Sequence, residues 1–146
     1  MSLTLLSPPA GEPVTLTELK AHLRLTSDDE DALVTGMLVA AVRAVEARAG
    51  LALMPQQWRL TLDAPPEDTL FFPISPVSAL DAVAVIDGEG APQEVSASLY
   101  DFAPGAAARL RPAGPWPLPV PRIGGVQIDF SAGYADADAV PEQLKQ

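Results

Sequence analysis

The sequence contains few side chains that could perform acid–base or nucleophilic chemistry. His22 is its only histidine, so a catalytic dyad or triad with an imidazole base would have to use this residue. It lies close to Lys20 and Arg24, and no serine-rich turn that could supply a nucleophile is evident. The chain has no cysteine, which excludes thiolate catalysis, disulfides and Cys-ligated metal centres. We therefore expect His22 to be an exposed or partly packed side chain without a catalytic role.

Acidic residues are the remaining candidates for chemistry. The run Asp28–Asp31 lacks the alternate spacing and the turn glycine of a calcium loop, and negative charge is favourable at the start of a helix. Asp136 and Asp138 could chelate a cation weakly, but a solvated loop is the simpler interpretation. No phosphate-binding glycine motif and no Walker lysine occur. The sequence predicts no cofactor, no metal site and no enzymatic activity.

Charge and hydrophobicity limit the class of protein. The 146 residues include 9 basic and 19 acidic ones, for a net charge of −10. Tight binding to nucleic-acid phosphates depends on clustered Lys and Arg, so this chain is not expected to grip DNA, although it could lie beside it. Hydrophobic residues make up 48% of the chain, enough for one core. Every apolar run is shorter than the ~20 residues of a membrane span, and we expect neither a signal peptide nor membrane association.

The sequence is predicted to form a single domain, residues 1–146, along which composition and periodicity change. Residues 1–14 are marked by Pro and Gly and are typical of an extended arm. Residues 15–50 have helical periodicity, and residues 51–134 are β-rich, with Pro or Gly about every eight to twelve residues. Residues 135–146 form a tail. We predict an α+β fold with an N-terminal helical hairpin, an antiparallel β region and a short or truncated C-terminal helix.

Capping motifs mark the beginnings of two helices. Thr15–Glu18 has the spacing of a capping box, and Ser27–Glu30 repeats it. The second motif predicts a long helix over residues 28–49, ending at Gly50. The predicted apolar stripe of this helix comprises Leu33, Met37, Ala41, Val45 and Ala49, flanked by Val34, Leu38 and Val42.

Alternating polar and apolar residues predict the strands. Asp87–Gly90 is typical of a hairpin turn between two of them. Residues 112–125 contain five prolines around Trp116 and predict a stiff loop, and Pro141 favours a short helix in the tail. The predicted strands cover residues 57–63, 70–74, 80–86, 94–97, 108–111 and 126–130.

Two tryptophans and three arginines are candidates for contact with a partner. Trp58 alternates within a strand and is expected in the core. Trp116 lies in a stiff loop that could present its ring at little entropic cost, although a ring folded back over its own sheet is slightly favoured. Arg109, Arg111 and Arg122 flank this loop and could face an acidic neighbour or lie on a solvated surface.

Five segments occur in a characteristic order: Glu12–Arg24, Asp28–Leu33, Val45–Gly50, Trp58–Leu62 and Phe130–Tyr134, the last preceding Val140 and Pro141. This ordered set resembles the head–tail connector, or head-completion adaptor, family of long-tailed double-stranded DNA phages. Phage-derived gene transfer particles keep similar proteins. The similarity spans nearly the whole chain.

The resemblance implies a structural protein of the neck of a virion or virion-like particle, assembled in the host cytoplasm. Family members form a ring of about a dozen subunits under the portal protein, extend the DNA channel and dock a tail-side stopper or terminator protein, and they have no catalytic residues. DNA would pass without tight binding. The long helix would pack within and between protomers, which makes Met37, Ala41, Arg43 and Arg48 contact candidates. The C-terminal segment, with Leu144, would reach toward the portal. A further helix normally follows the Val-Pro step in the family, whereas this sequence ends at Gln146.

Two other classes of function remain open from the residues alone. A β-rich accessory module that binds carbohydrate or peptide would be a monomer with a concave, aromatic-lined surface. A small hydrolase would need two carboxylates that converge in a pocket. Surfaces compatible with ring closure would instead favour the connector.

Overall fold

A computed structural model describes residues 1–117 and 122–146. It has the predicted α+β architecture, with a helical hairpin, two antiparallel sheets and a short last helix. The helices are α1 (Leu16–Leu23), α2 (Asp31–Ala49) and α3 (Glu142–Lys145), and a 3-10 turn covers Ala97–Leu99. The strands are β1 (Ser2–Ser7), β2 (Gln56–Leu62), β3 (Leu70–Phe71), β4 (Val77–Ile86), β5 (Pro92–Glu94), β6 (Tyr100–Ala103), β7 (Arg109–Pro112) and β8 (Val126–Ala132).

The main core joins the two sheets. The larger sheet has the strand order β1-β2-β8-β4-β5, and the smaller one has the order β3-β7-β6. Leu60, Ile128 and Phe130 of the larger sheet and Leu110 of the smaller one are fully buried in a single cluster. The ring of Phe72 packs edge-on against Phe130, with 4.9 Å between the ring centroids. Alternation along β8, which buries every second residue, produces this packing.

The N-terminal segment differs from the predicted extended arm. Residues 2–7 are extended, but they form the edge strand β1 and pair antiparallel with β2, where Leu3 lies opposite Leu60. Strand β6 was not predicted, although Tyr100, Asp101 and Phe102 alternate in exposure. The alternation ends after these residues and so is shorter than the run of about four or more that marks a strand. Strand β3 ends at Phe71, before the proline at position 73, which cannot donate to a strand ladder.

One of the two predicted capping boxes is confirmed. The Thr15 hydroxyl accepts from the Glu18 N–H at 3.2 Å, and a carboxylate oxygen of Glu18 accepts from the Thr15 N–H at 2.7 Å. The second box is wrong. Helix α2 begins at Asp31 with no side-chain cap, because the Ser27 hydroxyl accepts from the Asp29 N–H two residues on. Because the Ser27 hydroxyl is engaged in this local turn, it does not cap the helix.

Helix α2 buries a different face from the predicted one. Its buried residues are Val34, Leu38, Val42 and Glu46, which follow the predicted stripe by one position. Leu33 and Met37 of that stripe are 58% and 60% exposed. Two adjacent apolar lines therefore run along α2, one against the protein and one toward solvent. The predicted end at Gly50 is confirmed, since this residue adopts a left-handed φ of 65°.

The predicted turn at Asp87–Gly90 joins β4 and β5. One carboxylate oxygen of Asp87 accepts from the N–H groups of Glu89 and Ala91, and the other accepts from the side-chain amide of Gln93. The Ala91 N–H first, and then the Gln93 amide, hold the pKa of Asp87 below its ordinary value.

This lowered pKa gives a testable pH dependence. We expect the Asp87 carboxyl, followed by NMR, to titrate at a lower pH in the folded chain than in an unfolded peptide of the same sequence. The folded-state pKa is the lower of the two. The ionised Asp87 carboxylate therefore stabilises the fold fully above the unfolded-state pKa, and this contribution is lost as the pH falls through the folded-state pKa. Equal midpoints in the two states would contradict the hydrogen-bonding scheme.

Candidate assembly interface

The solvent-facing line of α2 borders an apolar groove. Met37, Ala41 and Val45 form one wall of the groove, which has a volume of about 370 Å³. Leu23 of α1, 48% exposed, also lines the groove. Exposed apolar side chains that are contiguous along one helix are typical of a surface that another chain covers.

The C-terminal segment also lines this groove, through Leu144, Lys145 and Gln146. Leu144 of α3 is half-buried and packs with Leu19 and Val14 on the second core cluster, which also contains Leu38 and Val42. Leu144 therefore lies against the helical hairpin of its own chain.

A lysine positions the connection between α1 and α2. The Lys20 ammonium donates to the carboxylates of Asp28 and Asp31, the latter at 2.6 Å. The hydrogen bond to Asp28, followed by that to Asp31, raises the pKa of Lys20, and the bond from Lys20 lowers the pKa of Asp28. This pairing accounts for two residues of the acidic run. The Glu30 side chain is exposed at the end of the connection between α1 and α2. It forms no ion pair within the described residues.

A buried carboxylate fixes the other end of α2. Glu46 accepts from the Leu53 N–H at 2.9 Å, from the Gln56 side-chain amide at 2.6 Å and from the Arg43 guanidinium at 3.1 Å. Arg43 is therefore held by its own helix, whereas Arg48 is exposed in the last turn. Glu46 was not among the residues predicted from the sequence to form a site. No local pattern marked this residue, because α2 is apolar on two adjacent lines and periodicity does not show which of them is buried.

Trp116 is part of the core. The residue is 6% exposed, and its indole N–H donates to the Leu99 carbonyl at 2.9 Å. Its ring packs edge-on against Tyr100. The described part of the loop therefore does not present this ring to a partner, and residues 118–121 of that loop lie outside the described residues. Trp58 is half-buried and packs against the main core.

The outer face of the smaller sheet brings together two of the three candidate arginines. Arg109 and Arg111 are exposed neighbours on β7. Phe71, which pairs with Arg109 in the sheet, is 63% exposed. The Arg111 guanidinium lies 3.7 Å from the Asp101 carboxylate, with both side chains mostly exposed. Arg122 lies elsewhere, near Gly90 of the β4–β5 turn.

The remaining titratable candidates are not gathered into a site. His22 is exposed on α1 and faces the end of α3. The Asp136 carboxylate accepts from the Ala139 N–H at 2.9 Å within its own loop. Across residues 1–117 and 122–146, no three His, Asp or Glu side chains lie close enough together to hold a metal ion. In the same residues no helix is both long and apolar enough to cross a bilayer.

Comparison with known proteins decides the family. A family model described as phage gp6-like head-tail connector protein matches residues 13–101. The chain belongs to this family. The match covers the helical hairpin and the strands β2 to β5, including the α2 surface described above. None of the curated proteins compared matches the sequence significantly.

Solved structures extend the similarity of this connector-family chain to its full length. A chain in the virion of a native gene transfer agent (GTA) particle is 34% identical, with a TM-score of 0.84, and the match covers 100% of this chain and 79% of that one. A chain in the neck of an empty GTA particle, computed with C6 symmetry, has a TM-score of 0.83 at the same identity and coverage. A chain in the neck of a native GTA particle, computed with C12 symmetry, has a TM-score of 0.70 and covers 98% of this chain and 77% of that one.

Proposed function

We propose that this protein is a structural subunit of a ring in the neck of a phage-like gene transfer particle, beneath the portal protein. The observation that carries the proposal is the full-length similarity to chains of GTA necks, at 34% identity and a TM-score of up to 0.84. The C12 symmetry of one such neck supports a ring of about a dozen copies. In this account the ring extends the DNA channel and docks a tail-side stopper or terminator protein.

The exposed surfaces of the chain suit this role. Ring closure requires a heterologous contact, in which one patch of each subunit meets a different patch of the next. The solvent-facing line of α2, with Leu33 and Met37 more than half exposed, supplies apolar area for such a contact. A net charge of −10 permits a channel along which DNA slides without being gripped, although many other proteins are equally acidic.

The role is structural in this account and includes no catalytic step. The accessory-module alternative depended on an aromatic binding surface, and Trp116, its main candidate, is buried in the core. A hydrolase would instead require two carboxylates that converge in a pocket.

Quantitative mass spectrometry of purified particles tests the proposal. We expect the protein in whole particles, at about the same number of copies per particle as the portal protein. Its absence from particles would overturn the proposed function.

A charged residue in the solvent-facing line of α2 should block assembly. For Met37→Glu we expect at least about a tenfold loss of incorporation into particles, because a carboxylate buried without a partner in a subunit contact is strongly unfavourable. The measurement is the ratio of this protein to portal protein in purified particles. The matched control is Thr35→Glu, because Thr35 is also exposed but lies on the other side of the buried line of α2. Equal incorporation of both variants, each folded by circular dichroism, would show that this line is not a subunit contact.

A further inference from the structure

Two exposed surfaces of the chain each combine apolar and charged side chains, and their net charges are opposite. The helix face consists of Leu33 and Met37 of α2 and of Glu30, the N-cap residue that precedes the helix. Their spacing of i, i+3 and i+7 places the three residues along one side of the helix axis. The sheet face consists of Phe71, Arg109 and Arg111 on the outer side of the smaller sheet. The helix face combines the exposed Leu33 and Met37 with one carboxylate. The sheet face combines the exposed Phe71 with two arginines and with Asp101, which lies opposite Arg111, so its net charge is positive.

The spacing of the groups on the two faces also agrees. On the helix face, Glu30 lies about 5–6 Å from Leu33 and about 10 Å from Met37 along the axis. On the sheet face, Phe71 and Arg109 are directly paired and so lie about 5 Å apart, and Arg111 is about 7 Å farther along its strand. A carboxylate could therefore reach an arginine while Phe71 covers Leu33 and Met37. Aromatic and arginine side chains are enriched at the centres of protein interfaces.

The charge balance favours a second copy of this chain as the occupant of the sheet face. Copies with a net charge of −10 repel one another, so a subunit contact needs basic groups that are not already neutralised. Lys20, Arg43 and Arg59 are paired with carboxylates inside the chain at 3.1 Å or less. Within the described residues Arg24, Arg48, Arg109 and Arg122 have no ion pair, and Arg111 has only a long, exposed one. Of these, Arg109 and Arg111 lie together on one strand beside the exposed Phe71. Glu30 is likewise unpaired and exposed.

We propose that the helix face of each subunit docks on the sheet face of the next subunit in the ring, with Glu30 against Arg109 or Arg111 and Phe71 over Leu33 and Met37. This inference rests on the proposed function and adds to it the identity of both surfaces. The two faces belong to different elements, so the contact is heterologous and can propagate around a ring.

Cross-linking tests the contact directly, because the chain has no cysteine of its own. Particles are assembled with the double variant Glu30→Cys/Arg111→Cys and treated with a short bis-maleimide. We expect a ladder of covalent multimers beyond the dimer, at least tenfold stronger than in the control Glu30→Cys/Arg122→Cys. Dimers without higher multimers, or equal ladders from both variants, would overturn the proposal.

A charge exchange gives a second readout. Arg109→Glu/Arg111→Glu should lower incorporation at least about tenfold, and adding Glu30→Arg should restore most of it. A loss that Glu30→Arg does not reverse, or one accompanied by failure to retain DNA in assembled particles, would assign the sheet face to another partner and overturn the proposal. If the unmodified protein occupies the neck but the cross-linking and charge-exchange variants give neither expected result, only this inference fails. If the protein is absent from particles, the proposed function itself fails.

Discussion

Replacing Gly133 with alanine is expected to destabilise the folded chain by about 3 kcal/mol or more. Gly133 follows β8 with a left-handed φ of 122°, and a Cβ atom there would lie 2.2 Å from the Met54 carbonyl oxygen. The obstructing atoms belong to the backbone between α2 and β2, so no side-chain rotation can relieve the overlap. The free energy of unfolding, from denaturant titration followed by circular dichroism, measures the effect.

The control for this prediction is the same substitution in α2. Gly36→Ala places a Cβ in open space inside a helix, where alanine is favoured over glycine by roughly 1 kcal/mol. We expect this variant to be as stable as the original chain or more so. Equal stability of the Gly133→Ala and Gly36→Ala variants would show that β8 does not pass so close to the α2–β2 connection.

Replacing Glu46 with alanine is expected to cost about 3 kcal/mol of unfolding free energy. The change leaves the Leu53 N–H and the Gln56 amide without their acceptor at a buried position. Glu46→Gln keeps an acceptor oxygen at this position and should lower the free energy of unfolding by less than half as much. Denaturant titration of the two variants measures the difference.

An exposed ion pair of the same spacing serves as the comparison for Glu46. The Glu142 carboxylate accepts from Lys145 at 3.0 Å, with 76% of the glutamate side chain exposed. Solvent screens such a pair, so Glu142→Ala should change the unfolding free energy by no more than about 0.5 kcal/mol. A loss as large as that of Glu46→Ala would contradict the assignment of the Glu46 effect to buried hydrogen bonds.

Local sequence patterns predicted those elements whose cause is local. The Thr15 capping box, the end of α2 at Gly50 and the turn at Asp87 each depend on residues within five positions of one another, and all three are present. The alternation in β2 and β8 likewise predicted two central strands to within two residues at each end.

Elements that depend on distant partners could not be predicted in the same way. Strand β1 is defined by its pairing with β2, fifty or more positions away in the sequence. Helix α2 is apolar on two adjacent lines, so periodicity could not distinguish the buried line from the exposed one. The position of Glu46 depends on Leu53 and Gln56 approaching it in the folded chain.

The candidate interface was predicted only in part. Met37, Ala41, Arg109 and Arg111 were identified from the sequence, and the structure places all four on the surface. Phe71 was missed because it lies in a short strand and becomes notable only beside Arg109. The resemblance to the connector family, confirmed over residues 13–101, provided the function that single residues could not.

Symmetry-averaged imaging of the neck in purified particles tests the central claim most directly. We predict a ring of this fold, with about a dozen copies, between the portal and the first tail component. The solvent-facing line of α2 should be covered by an adjacent copy. Neck density that cannot accommodate the two-sheet fold, or a protein present in cells only as a free monomer, would contradict the account.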